Sequence, residues 1–220
     1  MGLFIYLRNT MASGDTKVTI VNQALVLLGS DTISSFSDTT NDAARVADSI
    51  YETIKGKTLS LYPWSFALVK EQLARSTATP VNEWTYLYPL PSTAVSGTAL
   101  QVYNSSSTRV LPIQSYELVY TSSGPAIATN EDKIYIDYIS SVVSEGLMPN
   151  YFVQLLVYML AWHLAEPVTD QITKAEYWRG VALGSLTENG RGGYFRQACN
   201  IDGRGKPNYA IVDFPLTDVR

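Results

Sequence analysis

The stretch from Tyr151 to Glu166 most constrains the fold, because apolar residues lie on every side of the helix that it predicts. A helix that is apolar all round is buried on all of its faces. The stretch has roughly 16 residues, fewer than the about 20 that a membrane span requires, and Gln154 and His163 are polar. It therefore predicts a helix buried in a protein core, and the chain must supply other helices to surround it.

Two helices are predicted before this stretch. Residues 16–28 carry apolar side chains at helical spacing, and Gly29 follows as a residue that can end a helix in the left-handed conformation. The second helix begins at Thr39, Thr40 or Asn41, each of which can cap it, and it stops before Pro63. The N-terminal part of the chain therefore predicts a helix pair.

A second pair is predicted in the C-terminal part of the chain. Pro167 is expected to end the buried helix, because proline removes a backbone donor. Thr169-Asp170 is expected to cap a fourth helix that runs to about Leu186. From residue 190 onward the chain is rich in glycine and shows no helical pattern, which predicts an extended arm.

The middle third of the chain has the pattern of short strands. Its segments are rich in aromatic and β-branched residues, and proline and glycine separate them, as Gly124-Pro125 does between the last two. The predicted strands are 84–88, 100–103, 116–120 and 133–139. This part of the chain therefore predicts a small β-domain.

These patterns predict an α+β fold in which a helical bundle carries an inserted antiparallel β-domain. The bundle comprises residues 16–63 and 141–189, and the β-domain comprises residues 64–140. Residues 1–15 are predicted to be a flexible extension, and residues 190–220 an extended C-terminal arm.

The composition favours a subunit of an assembly. Charged residues make up 16% of the chain, against roughly 25% in ordinary soluble proteins, and 15 residues are tyrosine. Interface cores are poor in charge and rich in aromatic residues. The net charge is −4 and the sequence has no basic cluster, so tight binding to nucleic acid is not expected.

No pattern in the sequence predicts a catalytic, cofactor or metal site. His163 is the only histidine and Cys199 the only cysteine, which excludes zinc sites built from these two residue types. Gly203-Arg204-Gly205-Lys206 lacks the serine or threonine of a phosphate loop, because Pro207 follows. Glu131-Asp132 could supply the acid pair of a glycoside hydrolase, but a solvated turn is the better interpretation. We expect no cofactor and no enzymatic activity.

The most specific motif is Pro63-Trp64-Ser65-Phe66-Ala67, which follows the second helix. Taken in order with further stretches of the chain, it resembles the tail adaptor (tail tubular protein A) family of short-tailed phages. The resemblance covers roughly residues 16–220, and its other parts are 21–25, 28–29, the polar loop 33–38, 43–45, Tyr51, 84–91, 135–138, 213–216 and Arg220.

The resemblance implies a structural virion protein that is assembled in the host cytoplasm and forms a head-to-tail connector. Such adaptors form a twelve-fold ring that binds the portal protein on one side and the tail nozzle or tube on the other, with tail fibres as a further candidate partner. Genomic DNA passes through the lumen without specific binding, and no membrane is involved. The alternatives are another head-completion or tail-tube protein, or a virion-associated hydrolase that degrades polysaccharide.

Candidate assembly residues are large side chains near the ends of the predicted elements. Trp64 and Phe66 are expected to be buried where the helical bundle meets the β-domain, and they are also candidates for contacts between subunits. The complete set of candidates is Trp64, Phe66, Tyr194, Phe195, Phe214 and Arg220.

Overall fold

The computed structural model describes residues 14–38, 41–78, 80, 83–107 and 111–204. Within these ranges the chain forms five α-helices and six β-strands, which confirms the predicted α+β class. The helices are α1 Lys17–Leu28, α2 Asp42–Ser60, α3 Asn150–Thr169, α4 Ile172–Leu183 and α5 Gly193–Gly203. The strands are β1 Leu68–Gln72, β2 Tyr86–Pro89, β3 Gln101–Tyr103, β4 Tyr116–Thr121, β5 Gly124–Thr129 and β6 Tyr135–Ile139.

Local capping signals set the ends of the first two helices. Thr16 and Thr19 form a reciprocal capping box at the start of α1, and Gly29 ends α1 with φ +71°, as predicted. Asn41 caps α2 by accepting hydrogen bonds from the backbone N–H groups of Ala43 and Ala44. The structure therefore selects Asn41 among the three predicted caps.

Helix α3 packs against all four other helices. Ten of its residues are buried, but Gln154, Trp162 and His163 are half-buried, so the expected burial on every face is only partly met. The prediction that Pro167 ends the helix is wrong. Proline here removes one hydrogen bond in the last turn, and α3 continues to Thr169.

The junction between α3 and α4 differs from the expectation as well. Asp170 ends α3 in the left-handed conformation, with φ +51°, and does not cap α4. Helix α4 follows Gln171, whose side chain forms no capping hydrogen bond. Because Asp170 turns the chain back, α4 packs closely against α3.

The strands form two antiparallel sheets of three strands each, in the orders β1-β6-β3 and β2-β5-β4. Strands β1 and β5 were not predicted. Gly124-Pro125, expected to separate strands, begins β5, in which Pro125 pairs with Tyr120 of β4. Proline is tolerated at the start of a strand. The turn before Gly124 therefore joins β4 and β5 as a hairpin.

The C-terminal region contains a helix where an extended arm was expected. Residues 193–203 form α5, which packs against α3 and α4 and buries the side chains of Phe195 and Ala198. The prediction is therefore wrong for this part of the arm. Residues 205–220, and residues 1–13 of the predicted N-terminal extension, lie outside the described ranges.

Candidate assembly surfaces

Trp64 lies at the centre of an aromatic cluster in the helical core. Its side chain is fully buried, and the centroid of its ring lies 5.1 Å from that of Tyr62 and 5.2 Å from that of Phe152. The indole Nε1 donates a hydrogen bond to the carbonyl oxygen of Thr58, near the end of α2, at 3.1 Å. The expected burial is confirmed. A fully buried side chain cannot contact another subunit, so Trp64 is not an interface residue.

Phe195 and Phe66 belong to the same cluster. The ring of Phe195 is largely buried and lies 6.2 Å from that of Trp64, so most of this side chain belongs to the core of the protomer. Phe66 is half-buried and packs 4.8 Å from Phe152. The remaining candidates at the C-terminus, Phe214 and Arg220, lie outside the described residues.

Tyr194 is part of a half-buried aromatic strip, which we define as Tyr158, Trp162, Trp178 and Tyr194. Tyr158 stacks on Trp178 at 5.7 Å and meets Tyr194 edge-on at 5.4 Å. The guanidinium of Arg179 lies 5.9 Å from the ring of Trp162. Tryptophan, tyrosine and arginine dominate binding energy at protein interfaces. The strip comes from three helices, so no local pattern in the sequence reveals it.

Asp202 fastens the end of α5 to the segment that follows α2. Its carboxylate is buried and accepts hydrogen bonds from the backbone N–H of Ser65 at 3.1 Å and from the Ser65 hydroxyl at 2.6 Å. The hydroxyl of Tyr151 on α3 donates a third bond at 2.7 Å. Burial raises the pKa of Tyr151, and the neighbouring carboxylate raises it further, so the phenol stays a donor. These bonds fix α5 beside the aromatic cluster.

A tight corner holds the other end of α5 against α4. Gly193 has φ +54°, and a Cβ atom on it would lie 2.6 Å from the carbonyl oxygen of Val181, so only glycine fits. Between the two helices, the Glu188 side chain accepts a hydrogen bond from the backbone N–H of Ser185 at 2.9 Å. The position of α5 is therefore fixed at both ends.

A groove of about 530 Å³ runs between the end of α2 and α5. We call it the arginine groove; its lining includes Leu61, Tyr62, Arg191, Phe195 and Arg196. Leu61 is 40% exposed. Neither arginine forms a salt bridge within the part of the chain that the structure describes. The groove thus combines apolar surface with two positive charges that no carboxylate of the described protomer neutralises.

An acidic edge lies where α2 passes α1; we define it as Asp48 and Glu52. Both carboxylates are exposed, and they share Lys17 of α1, whose Nζ lies 3.6 Å from Asp48 and 3.4 Å from Glu52. The same ammonium group lies over the ring of Phe36, 4.6 Å from its centroid. One lysine faces two carboxylates, so the edge keeps a net negative charge.

A largely buried ion pair joins α2 to the segment before α3. The Nζ of Lys55 donates to Glu145 and to the carbonyl oxygen of Val143, both at 2.8 Å. Burial tends to raise the pKa of Glu145, but hydrogen bonds from Lys55, its own backbone and Tyr51 outweigh burial and hold that pKa below its ordinary value of 4.5. The pair therefore stabilises the fold only while Glu145 is ionised.

We expect the loss caused by Lys55→Met to shrink at acidic pH. In the wild type, the stability that Glu145 contributes is present above its ordinary pKa and is lost as pH falls through the lowered pKa of the folded state. In the variant, burial disfavours the unpaired carboxylate, so protonating it restores stability. Urea unfolding between about pH 7 and pH 3 measures the difference in unfolding free energy between the two proteins. A constant difference would contradict the coupling, and Arg45→Met, at the exposed pair that Arg45 forms with Asp42, serves as control.

Among the residues that the structure describes, His163 forms no hydrogen bond or ion pair. Its ring stacks on Trp162 with the centroids 4.1 Å apart. Burial lowers the pKa of His163 and the charge of Lys57 lowers it further, so the imidazole is neutral at about pH 7. No three His, Cys, Asp or Glu residues in the described part of the chain lie together as metal ligands would. None of the helices seen there has the length and apolar character needed to cross a membrane.

No protein-family model matches the sequence, and no curated protein matches it either. The function therefore has to be inferred from this chain's own motifs and surfaces.

Proposed function

We propose that this chain is a structural subunit of a short-tailed phage: a tail adaptor that forms a ring between the portal and the tail nozzle or tube. In this role the ring is part of the ejection channel, and genomic DNA passes through its lumen. The subunit performs no chemistry. It supplies a rigid body whose surfaces bind further copies of itself, the portal protein on one side and the tail on the other.

The observation that carries the proposal is the position of the Pro63-Trp64-Ser65-Phe66-Ala67 element. This element links α2 to β1, and Trp64 is buried among the helices. The chain returns from the sheets beside it, where the backbone N–H of Ser140 donates to the carbonyl oxygen of Ala67 at 2.9 Å. The most specific motif of the resemblance thus lies where the sheets are inserted into the helical bundle.

The exposed apolar side chains also support a subunit of an assembly. Four large apolar residues on separate segments are at least 74% exposed: Leu111, Tyr120, Val142 and Leu186. Single exposed apolar residues are common on monomers. Here they accompany the half-buried aromatic strip and a charged fraction of only 16%. An assembly that covers several surfaces of each subunit accounts for this combination.

Negative-stain electron microscopy of the purified protein, alone and mixed with its portal protein, tests the proposal directly. We expect closed rings with a central channel, or rings that form on the portal. Native mass spectrometry of the same samples gives the number of subunits. Single particles of protomer size under both conditions would overturn the proposal. Polysaccharide hydrolysis by the same preparation would favour the alternative of a virion-associated hydrolase.

We expect the ring to conduct duplex DNA without binding it. The chain carries 20 acidic residues against 16 basic ones, and DNA presents about one negative charge per 1.7 Å of its length. Fluorescence anisotropy of labelled duplex DNA across a salt series measures binding to the assembled ring. Micromolar affinity at physiological salt, with a steep dependence on salt, would show that assembly creates a basic track. The unassembled protomer is the matched control.

A further inference from the structure

The charges of the helical bundle are segregated along the sequence. Residues 14–60, which include α1 and α2, contain six acidic residues against four basic ones, of which Lys55 is buried. Residues 185–204 contain three arginines and two acidic residues, Glu188 and Asp202, and the carboxylate of Asp202 is buried. The α1–α2 region is thus acidic at its surface, whereas the surface around α5 is basic. The arginine groove and the acidic edge are parts of these two regions.

The two regions lie on opposite flanks of α2. Glu52 of the acidic edge and Leu61 of the arginine groove are nine residues apart, which corresponds to two and a half helical turns at about 3.6 residues per turn. The contacts agree with this geometry, because Glu52 faces Lys17 of α1 whereas Leu61 lies in a groove formed with α5. One protomer therefore presents complementary charges on two different flanks.

We propose that the arginine groove of one copy binds the acidic edge of the next copy, so that the subunits associate head to tail. The inference rests on the proposed ring and names the surfaces that form it. Arg191 and Arg196 would face Asp48 and Glu52 of the neighbour, and Leu61 would lose its exposure. An interface between two different surfaces of the same chain repeats in one direction and closes into a ring when the rotation permits.

The charges account for the direction of the contact. A contact between two arginine grooves would bring four arginines together, and a contact between two acidic edges would bring four carboxylates together. Repulsion between like charges therefore opposes both symmetric pairings. Only the pairing of groove with edge joins opposite charges. Because Arg191 and Arg196 form no salt bridge within the described part of the protomer, pairing across the interface breaks no ion pair on the groove side. On the other side, the carboxylates of the acidic edge already face Lys17 and would be shared between it and the arginines.

A charge exchange between two variants provides the first test. Arg191→Glu with Arg196→Glu makes the groove acidic, and Asp48→Lys with Glu52→Lys makes the edge basic. Each double variant alone should associate at least about a hundredfold more weakly than the wild type, because like charges then meet. An equal mixture of the two should assemble again, with the variants alternating around the ring. Analytical ultracentrifugation and electron microscopy measure both results, and circular dichroism confirms that each variant is folded.

The single native cysteine provides a second test, because Cys199 lines the arginine groove. In the variant Glu52→Cys, mild oxidation should join Cys199 of one copy to the introduced thiol of the next, giving covalent trimers and longer chains on a denaturing gel. The matched control Ser122→Cys places a thiol on the exposed turn between β4 and β5. A product that stops at dimers, or an equal ladder from the control, would overturn the head-to-tail contact.

The outcomes separate this inference from the proposed function. Rings that form unchanged from both charge variants would leave the adaptor proposal intact and show that the interface lies elsewhere. Rings that form normally from the Arg191→Glu, Arg196→Glu variant but no longer bind portal would assign the groove to an acidic segment of that partner instead. A wild type that forms no ring, alone or on the portal, would overturn both proposals.

Discussion

Replacement of Trp64 by alanine is expected to lower the free energy of unfolding by about 3–5 kcal/mol, the range measured for truncation of large aromatic residues in cores. The ring is fully buried and lies within 6.3 Å, centroid to centroid, of Tyr62, Phe66, Tyr151, Phe152 and Phe195. Because these five rings come from several separate segments, the resulting cavity cannot close by the movement of one side chain. The substitution also leaves the carbonyl oxygen of Thr58 without its indole donor.

Urea unfolding followed by far-ultraviolet circular dichroism measures this loss without relying on tryptophan fluorescence. Trp84→Ala is the matched control, because Trp84 is half-buried and its Nε1 bonds to the exposed Glu117 side chain at 2.9 Å. The control should lose clearly less stability than Trp64→Ala. Trp64→Phe keeps most of the apolar contact and should lie between the two. Equal stability of wild type and Trp64→Ala would contradict the burial that the structure shows.

The N-terminal helices could be predicted from the sequence because their ends carry local signals. Gly29 adopts a left-handed conformation that glycine reaches without strain, and Asn41 has an oxygen placed to accept two backbone N–H groups. Each signal acts within a few residues of the helix end that it sets. The same kind of reasoning failed at Pro167, because a proline in the last turn costs too little to end a helix that tertiary packing holds in place.

The spacing of four residues in the C-terminal region predicts helix α5, provided that a polar residue is accepted on the buried side of the helix. Phe195, Ala198, Cys199 and Asp202 recur at intervals of three, one and three residues, which places them on one helical face. The glycines of this region led instead to the prediction of an extended arm. The structure shows that Asp202 belongs on the buried side because Ser65 and Tyr151 satisfy its carboxylate there.

The missed strands lack the alternation that identifies a half-buried strand. In β1 four of the five side chains are exposed, and in β5 the last four residues are all buried. Neither pattern has a period of two. Both strands are defined by their partners instead: β1 pairs with β6, and β5 lies between β2 and β4. Pairing of this kind depends on tertiary contacts, which no local pattern in the sequence contains.

The candidate surfaces depend even more on contacts between distant parts of the chain. The arginine groove joins residues 60–62 to residues 189–200, and the aromatic strip joins three helices. The sequence shows the arginines, but not that a leucine and two aromatic rings lie between them. The sequence predicted that Trp64 is buried, but not that the burial is complete and leaves no surface for a partner.

Asp202→Ala is expected to destabilise the protomer by about 3 kcal/mol. The substitution removes the acceptor from two hydroxyl groups and one backbone N–H, and an unsatisfied buried donor costs about 1–3 kcal/mol. Ser65 is exposed and Tyr151 is half-buried, so water can replace some of the lost bonds and the total stays below a simple addition. Because these bonds fasten α5 to the segment after α2, the loss should be accompanied by faster amide exchange throughout α5.

Tyr151→Phe is the matched control for Asp202→Ala, because it removes one of the same hydrogen bonds while leaving the carboxylate and the aromatic packing in place. It should cost about 1 kcal/mol. If the two residues act through a common bond, the double variant should lose less stability than the two single variants together. Urea unfolding gives the three free energies, and hydrogen exchange followed by mass spectrometry locates the change. A loss under about 0.5 kcal/mol for Asp202→Ala, the scale of ordinary surface substitutions, would mean that the packing of Phe195 and Ala198 and the corner at Gly193 hold α5 in place without the carboxylate.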